Sequence, residues 1–366
     1  MFRIFKKKSK SSKTDSKRYL QLKIKEVRRE TDDTNTLIFE KPEKPMHYLP
    51  GQFLTLILPI DGKEVRRSYS LCTSPYLEEN PAITVKRVDS GVVSNYLHDH
   101  MKAGDAFDVM APAGHFTPAL APERATKYVL FAGGSGITPI MSILKSILIK
   151  EHMSHVTLVY QSRNEQSIIF ESELELLQKK YATHLRVLHL LSQPSEAWSG
   201  YQGRIDGAMA SDILMDIAEN KAGNCEYFLC GPSGFMLTVF NTLTDFEVPE
   251  KQIHKESFYS GESKAKTDEP SENPNQEMIV TILLDGEEYE VNVPANRSIL
   301  EAALDQDIDM PFSCQNGLCT ACRGKLLAGK VRMDDEDGLS EEEINEGYVL
   351  NCVGHPDGPG VKIEIG

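Results

Sequence analysis

Three domains of different class are predicted along this 366-residue chain: an antiparallel β-barrel, an α/β unit with a parallel sheet, and a small β-grasp-like domain. Three observations predict that order. Short β-rich runs broken by turn residues fill residues 19–121. Strand and helix patterns alternate over residues 122–260. A polar, Pro-containing stretch at 261–276 then precedes a section, 277–366, that opens with a hairpin. A chain of this length has room for two or three separate cores.

Each element has its own signal. In the first section YLQLKIKEV, NTLIFEK, QFLTLILPI and AITVKRV are short strands separated by Pro, Gly, Asp and Asn, the rhythm of an antiparallel barrel. From Tyr128 to Phe131 a buried strand leads through a Gly-rich turn into an apolar helix over Ile140–Ile149. Strands at 156–160, 185–190 and 227–230 then alternate with helices at 170–180, 212–218 and 235–243, which builds a parallel sheet covered by helices. The 261–276 segment GESKAKTDEPSENPNQ reads as a linker. Beyond it Met278, Val280, Ile282 and Leu284 alternate up to Asp285-Gly286, and Tyr289, Val291 and Val293 alternate back, a hairpin. Ser298 and Glu301 form a capping box that opens a helix on Ala302, Ala303 and Leu304.

Charge is distributed unevenly. Residues 1–20 carry eight Lys/Arg against Asp15, whereas residues 277–366 carry 19 Asp/Glu against six Lys/Arg. The basic segment 1–18 lacks the apolar stretch of a secretory signal and reads as a disordered tail. An acidic C-terminal domain favours a basic protein partner and argues against nucleic acid. No uncharged apolar run reaches membrane-spanning length. Seven cysteines, an odd number, fit a reducing cytoplasm better than a disulfide framework.

Four of those cysteines carry the strongest chemical signal. Cys314, Cys319, Cys322 and the distant Cys352 have C-x4-C-x2-C…C spacing, the pattern of a plant-type [2Fe–2S] cluster. Gly317 allows the loop to turn tightly and aim N–H groups at sulfur. Zinc is the main competitor, but zinc sites usually pair two short knuckles and the second is missing here. Cys72, Cys225 and Cys230 read as small buried hydrophobes.

Two further segments suggest nucleotide chemistry. Gly133, Gly134, Ser135, Gly136 and Thr138 lie between a strand and a helix, where glycines permit close approach and a helix N-terminus attracts phosphate. Arg66-Arg67-Ser68-Tyr69-Ser70 follows the QFLTLILPI strand and offers an Arg for phosphate, a Tyr for stacking and a Ser for a ring edge. Lys86 and Val88 lead to another glycine turn, Gly91-Val92-Val93-Ser94, and a helical stretch over 95–101. His98 and His100 flank Asp99 without the context of a metal site. The acidic runs 334–337 and 341–343 read as solvated faces that could also steer a basic partner.

Taken together the chain resembles the ferredoxin–NADP reductase superfamily, in the order flavin, nucleotide, C-terminal ferredoxin, over nearly all of residues 19–366. Arg67, Tyr69 and Ser70 match its R-x-Y-S motif, Pro50-Gly51-Gln52-Phe53 its P-G-Q-F segment, and Gly91 and Ser94 its G-x-x-S turn. Gly133 to Pro139 match the nicotinamide-nucleotide loop and Cys230-Gly231-Pro232 the C-G-P motif. That order is similar to the reductase components of multicomponent oxygenases.

The resemblance implies an FAD-binding barrel, an NAD(P)-binding α/β domain and a [2Fe–2S] ferredoxin domain. Electrons would run from NADPH or NADH through flavin and cluster to an electron-accepting protein, a terminal oxygenase. Tyr69 would pack on the isoalloxazine, Arg67 and Ser94 would hold flavin phosphate, and Ser70 would contact the ring. Thr138 and Cys230 would lie near the nicotinamide, and Glu256 is a candidate at the hydride-transfer region. Arg163, just after the second strand, leans towards NADPH, while a structural role or pairing with Glu165 stays open. FMN stays open beside FAD. A desaturase or hybrid-cluster protein as acceptor, and a redox-sensing binding protein, are the alternatives.

Overall fold

The computed structural model describes residues 19–42, 46–218, 225–258, 277–295, 297–315, 317, 319–334, 338–339 and 341–365. The expected tail at 1–18, the linker at 261–276 and the acids Asp335, Glu336 and Asp337 lie outside the described residues.

The first unit is one curled antiparallel sheet. It contains β1 (Tyr19–Thr31), β2 (Thr34–Phe39), β3 (Phe53–Ile60), β4 (Lys63–Ser70), β5 (Ala82–Lys86) and β6 (Ala106–Met110), with helix α1 (Val92–His100) before β6. Strand order is β4-β3-β6-β1-β2-β5. A bridge between Leu71 and Ile83 brings the two edges together, so the sheet curls on itself. Period-two alternation turns Leu22, Ile24, Leu37, Phe39, Leu54, Leu56, Leu58, Ile83 and Val85 into one core. Residues 66–70 are more than the end of a strand. Asp61 and Gly62 both take positive φ (51° and 74°), so β3 turns tightly into β4, which pairs with it along its whole length. Helix α1 also begins earlier than its pattern suggested, at Val92, which puts Val92, Val93 and Ser94 in its first turn.

The second unit alternates as predicted: β7 (Lys127–Gly133), α2 (Ile137–Lys150), β8 (His155–Ser162), α3 (Glu171–Lys180), β9 (Leu185–Leu191), β10 (Tyr201–Gln202), α4 (Gly207–Ala218), β11 (Cys225–Cys230), α5 (Ser233–Asp245) and β12 (Ile253–Glu256). All pairings are parallel, in the order β10-β9-β8-β7-β11-β12. Strand β7 is buried from Tyr128 to Gly133, as a central strand covered on both faces must be. Helix α2 is buried continuously from Ile137 to Leu148 because it lies between this sheet and the barrel unit. From β7 the chain steps outward through β8, β9 and β10, then returns to β11 on the other side of β7. That reversal opens a crevice at the carboxyl ends of β7 and β11.

The third unit is a five-stranded mixed sheet. Its strands are β13 (Met278–Leu284), β14 (Glu287–Val293), β15 (Arg323–Ala328), β17 (Tyr348–Leu350) and β19 (Val361–Ile365), in the order β14-β13-β19-β15-β17. The short strands β16 (Val331–Met333) and β18 (Gly354–Pro356) pair beside it, and α7 spans Glu341–Asn345. Helix α6 (Ile299–Asp305) starts with the predicted box: Ser298 Oγ accepts from Glu301 N at 3.2 Å and Ser298 N donates to Glu301 Oε2 at 3.1 Å.

Candidate active site and cluster loop

The crevice at the switch point is built by two loops pressed backbone to backbone. Gly133 ends β7, and Gly134–Gly136 form a single 3-10 turn leading into α2. A Cβ on Gly136 would lie 2.1 Å from the Cys230 carbonyl oxygen, and one on Gly133 would lie 2.8 Å from Pro232 Cδ. Any side chain there would force apart the Gly133–Gly136 and Cys230–Pro232 loops. The start of α2 has no side-chain cap, which leaves N–H groups for an anion. Thr138 is buried, its hydroxyl donating to Ser135 O at 3.1 Å. These features fit a nucleotide pyrophosphate.

Three elements from two units then converge. Cys230 and Glu256 are register partners on β11 and β12. Ser70, from the end of β4, donates to Glu256 Oε2 at 3.4 Å. Burial pushes the Glu256 carboxyl up to about 8, against the pull of the Ser70 hydrogen bond. The residue keeps some exposed surface while its carboxyl tip is enclosed by protein. Burial, and then the proximity of Glu256, push the Cys230 thiol well up, so both groups hold protons at neutral pH. The predicted residues Ser70, Cys230 and Glu256 therefore share one site.

Tyr69 is half-buried against the barrel core, and Arg67 is exposed with Nη1 donating to Arg66 O at 2.8 Å. The α1 start also suits a phosphate. Gly91 caps it without a side chain, and Ser94 Oγ accepts from Val88 N at 3.1 Å to hold the turn. Val88 and Val92 stay exposed on either side of this turn, while Val93 is buried beneath it. Lys86 is engaged with Asp33 at 3.5 Å. Arg163 does not pair with Glu165, which accepts from Ser195 N at 3.0 Å and from its hydroxyl at 2.6 Å. The exposed Arg163 is left with no ion pair among the described residues, and the neighbouring buried Ser162 Oγ has no partner. Asp99 is held by Arg87.

In the third unit the cysteines come together from two segments, the loop carrying Cys314, Cys319 and Cys322 and the turn carrying Cys352. Gln315 and Gly317 take positive φ (58° and 74°), which folds the loop back and lets Gly317 N donate to Cys352 Sγ at 3.4 Å. Asn351 is fully buried, and its Nδ2 donates to Cys322 O at 2.8 Å, tying the last cysteine to the loop. Hydrogen bonding with Cys314, then burial, pushes the Cys319 thiol well up. Hydrogen bonds with Cys314 and Cys322 do the same for Cys352. Cys314, Cys319, Cys322 and Cys352 thus lie close enough to interact, and an all-sulfur donor set of this kind fits an iron cluster. Of the remaining cysteines, Cys72 and Cys230 are buried as expected, whereas Cys225 at the start of β11 is only half-buried.

Lys145, which sequence reasoning passed over, and Arg66 and Ser68, which it named only within the flavin segment, join the units. Lys145 of α2 is buried and binds Glu78 and Glu173, the latter at 3.1 Å. Arg66 is nearly inaccessible and contacts Asp309 at 2.9 Å, and Ser68 Oγ donates to Ser313 Oγ at 2.8 Å. Strand alternation was the available signal, since residues 66, 68 and 70 share one face of β4.

Comparison with known proteins agrees with this geometry. An oxidoreductase FAD-binding domain model matches residues 21–117, an oxidoreductase NAD-binding domain model residues 130–240, and a 2Fe–2S iron–sulfur cluster binding domain model residues 282–357. The chain is 37% identical to the ferredoxin reductase component of 3-ketosteroid-9-alpha-monooxygenase from Rhodococcus rhodochrous, covering 94% of this chain and 96% of that one. It is 35% identical to a 1,2-phenylacetyl-CoA epoxidase subunit from Escherichia coli K12, covering 92% and 94%. Phthalate dioxygenase reductase, described as a modular structure for electron transfer from pyridine nucleotides to [2Fe–2S], superposes with a TM-score of 0.58 at 26% identity over 95% of this chain and 98% of that one. The 2Fe–2S match decides between cluster and zinc, and the FAD match between FAD and FMN. This chain belongs to the family of FAD- and [2Fe–2S]-containing ferredoxin/flavin reductases and is an NAD(P)H-dependent oxidoreductase.

Proposed function

We propose that the protein takes hydride from NADPH at the β7/β11 crevice and delivers single electrons from its cluster to a partner terminal oxygenase. The observation that carries this reading is the meeting of Ser70, Cys230 and Glu256, because a flavin-unit hydroxyl reaches a nucleotide-unit carboxyl at 3.4 Å. A nicotinamide seated by Gly133–Gly136, Thr138 and Cys230–Pro232 meets a flavin seated by Arg67, Tyr69 and Ser70 at that junction.

The chain's own residues do the positioning. Arg67, with the α1 start at Gly91–Ser94, opposes flavin phosphate charge, and Tyr69 offers a flat face to the ring. Lys86, Val88, Val92 and Val93 frame the same turn. Glu256 holds a proton at its carboxyl, and the Ser70 hydroxyl bonded to it would be the group that faces a bound flavin ring. A neutral Glu256 also avoids placing negative charge beside an incoming hydride. When bound, the flavin supplies the conversion of a two-electron donor to one-electron steps, and the cluster on Cys314, Cys319, Cys322 and Cys352 passes those electrons out. Arg163, exposed beside Ser162, suits the 2′-phosphate of NADPH. We place the domain limits at 19–121, 122–260 and 277–366, around the linker at 261–276. A cytoplasmic location fits seven cysteines without a disulfide, and no described helix is long and apolar enough to cross a membrane.

Oxygenase partnership is carried over from relatives whose names describe monooxygenase and epoxidase components and which match across nearly their whole length. The test is anaerobic titration with NADPH and, separately, NADH, followed by absorbance and EPR. Flavin bleaching together with a reduced [2Fe–2S] signal, at lower NADPH than NADH, is expected. Bleaching without a cluster signal would overturn the electron path, and equal potency would overturn the assignment of Arg163.

A further inference from the structure

One face of β4 is the meeting line of all three units. Ser70 reaches Glu256 of the nucleotide unit, whereas Ser68 and Arg66 reach the cluster unit just ahead of its first ligand. The guanidinium of Arg66 is 3% exposed. Its Nη2 donates to Glu64 at 2.8 Å and to Asp309 at 2.9 Å, and its plane lies 4.4 Å over the Phe312 ring. Tyr19 OH donates to the other oxygen of Asp309 at 2.5 Å. Ser68 Oγ donates to Ser313 Oγ, and Ser313 is the residue before Cys314. Residues 309–313 are thus gripped from β1 and β4 at three points within one turn of the cluster loop.

Only the guanidinium is buried here, since Glu64 and Asp309 are 42% and 43% exposed, and taking that one charge out of water offsets much of the attraction. Arg66 also keeps one buried donor, Nη1, without a partner among the described residues. What such an arrangement does well is fix register, because any slip leaves the buried guanidinium without its carboxylates. The planar fork of arginine, stacked on one side and bridging two carboxylates, permits a narrow range of positions. The neighbouring residue in sequence, Arg67, alternates to the opposite face of β4, so the clamp and the proposed phosphate contact do not compete for one face.

We propose that Arg66 is a positioning residue: with Asp309, Phe312 and the Ser68–Ser313 bond it clamps the cluster loop to the flavin strand and sets the distance for electron transfer between them. This rests on the electron path proposed above. The step itself moves one electron from reduced flavin to one ferric iron of the cluster, which becomes ferrous, with the flavin proton released to solvent. A misplacement of about 1 Å can cost a bond-forming step about a hundredfold, and electron transfer, which forms no bond between its centres, falls less steeply with their separation.

Arg66→Met, which keeps the length of the stem, and Asp309→Asn, at a residue 43% exposed, test the clamp in the holoprotein. Stopped-flow reduction by NADPH separates flavin bleaching from cluster reduction, with ferricyanide as the acceptor that takes electrons from flavin directly. Both variants are expected to bleach flavin and reduce ferricyanide at the wild-type rate but to reduce the cluster about tenfold or more slowly. The double variant should be no slower than either single one, as for a pair acting as a unit. Hydrogen exchange at the backbone amides of residues 309–313 should be faster in both variants, a change independent of turnover. Wild-type cluster reduction in Asp309→Asn, or slow cluster reduction with unchanged exchange at 309–313, would overturn the clamp. Failure of the wild-type cluster to accept electrons at all would instead overturn the electron path.

Discussion

Replacing Glu256 by Gln removes a group at the proposed hydride site whose protonation changes near neutral pH. Its carboxyl is held at about 8, against 4.5 for an unburied glutamate. Below 4.5 the folded and unfolded chains both carry this proton, and burial has no charge to oppose. Between 4.5 and about 8 the unfolded chain has lost the proton and the folded chain keeps it. The unfolded state then binds fewer protons, so stability falls as pH rises through that window and levels off above it. At about 1.36 kcal/mol per pH unit the loss has a ceiling of about 5 kcal/mol. Residual exposure lets solvent relieve part of this, and about 2–4 kcal/mol is the expected size.

Glutamine has the same shape and no such proton, so Glu256→Gln should lack this pH slope. Urea unfolding of the holoprotein at several values from pH 5 to pH 8.5, with excess FAD present, measures the difference. Wild type and variant should match near pH 5, and the variant should be the more stable by pH 8. A difference infrared titration adds a direct readout, a protonated carboxyl band present at pH 6.5 in wild type and missing in the variant. Parallel stability curves for the two proteins would refute the reasoning, because Glu256 would then ionise as an ordinary surface acid.

Other sites give sharper, single-readout outcomes. Cys352→Ser should abolish the reduced-cluster EPR signal and lower iron content while flavin stays bound, since the fourth ligand comes from this residue alone; full iron occupancy would contradict the ligand assignment. Gly136→Ala puts a methyl 2.1 Å from the Cys230 carbonyl oxygen, and separating two backbones costs about 1–3 kcal/mol. The KM for NAD(P)H should rise about fivefold to about a hundredfold, with cluster content unchanged, and an unchanged KM would show that the loops do not form the nucleotide seat. Arg163→Gln should weaken NADPH by about 1.5–3 kcal/mol, the value of a charge-assisted hydrogen bond, and leave NADH as it was; equal loss for both would assign Arg163 a structural role.

Much of the architecture was legible because its causes are local. An apolar strand followed by a Gly-rich turn announced β7 and the loop after it, and alternation about Asp285-Gly286 announced the β13–β14 hairpin. The Ser298–Glu301 box starts α6 as the spacing required. The cysteine loop was legible for the same reason, since spacing along the chain fixes which thiols are able to meet. The full extent of β4 was obscured by its composition, KEVRRSYS, which lacks an apolar stripe. Its strand character comes from pairing with β3, a non-local cause. The convergence of Ser70 with Glu256, 186 residues apart, depends on how two sheets pack and leaves no local pattern.

The chemistry of the two joints between units explains why one was more visible than the other. Cys72, Ala82 and Phe116 of the barrel unit are continuous with the buried core around α2 of the nucleotide unit, and Phe116 meets Phe228 edge-on with ring centroids 5.4 Å apart. The even burial of α2, predicted as an apolar helix, follows from that shared core. The cluster unit keeps a core of its own, drawn from residues 280 to 365, and meets the barrel through Tyr19, Arg66, Ser68 and His115, all polar groups. Apolar joints hold domains together by area, whereas polar joints hold them only in the register at which their groups are satisfied. A reductase needs both kinds. The flavin and nucleotide sites must stay closed around a hydride that cannot travel, so their joint is built as core. The cluster must sit at one position to receive an electron, so its joint is built from a few polar groups that specify place.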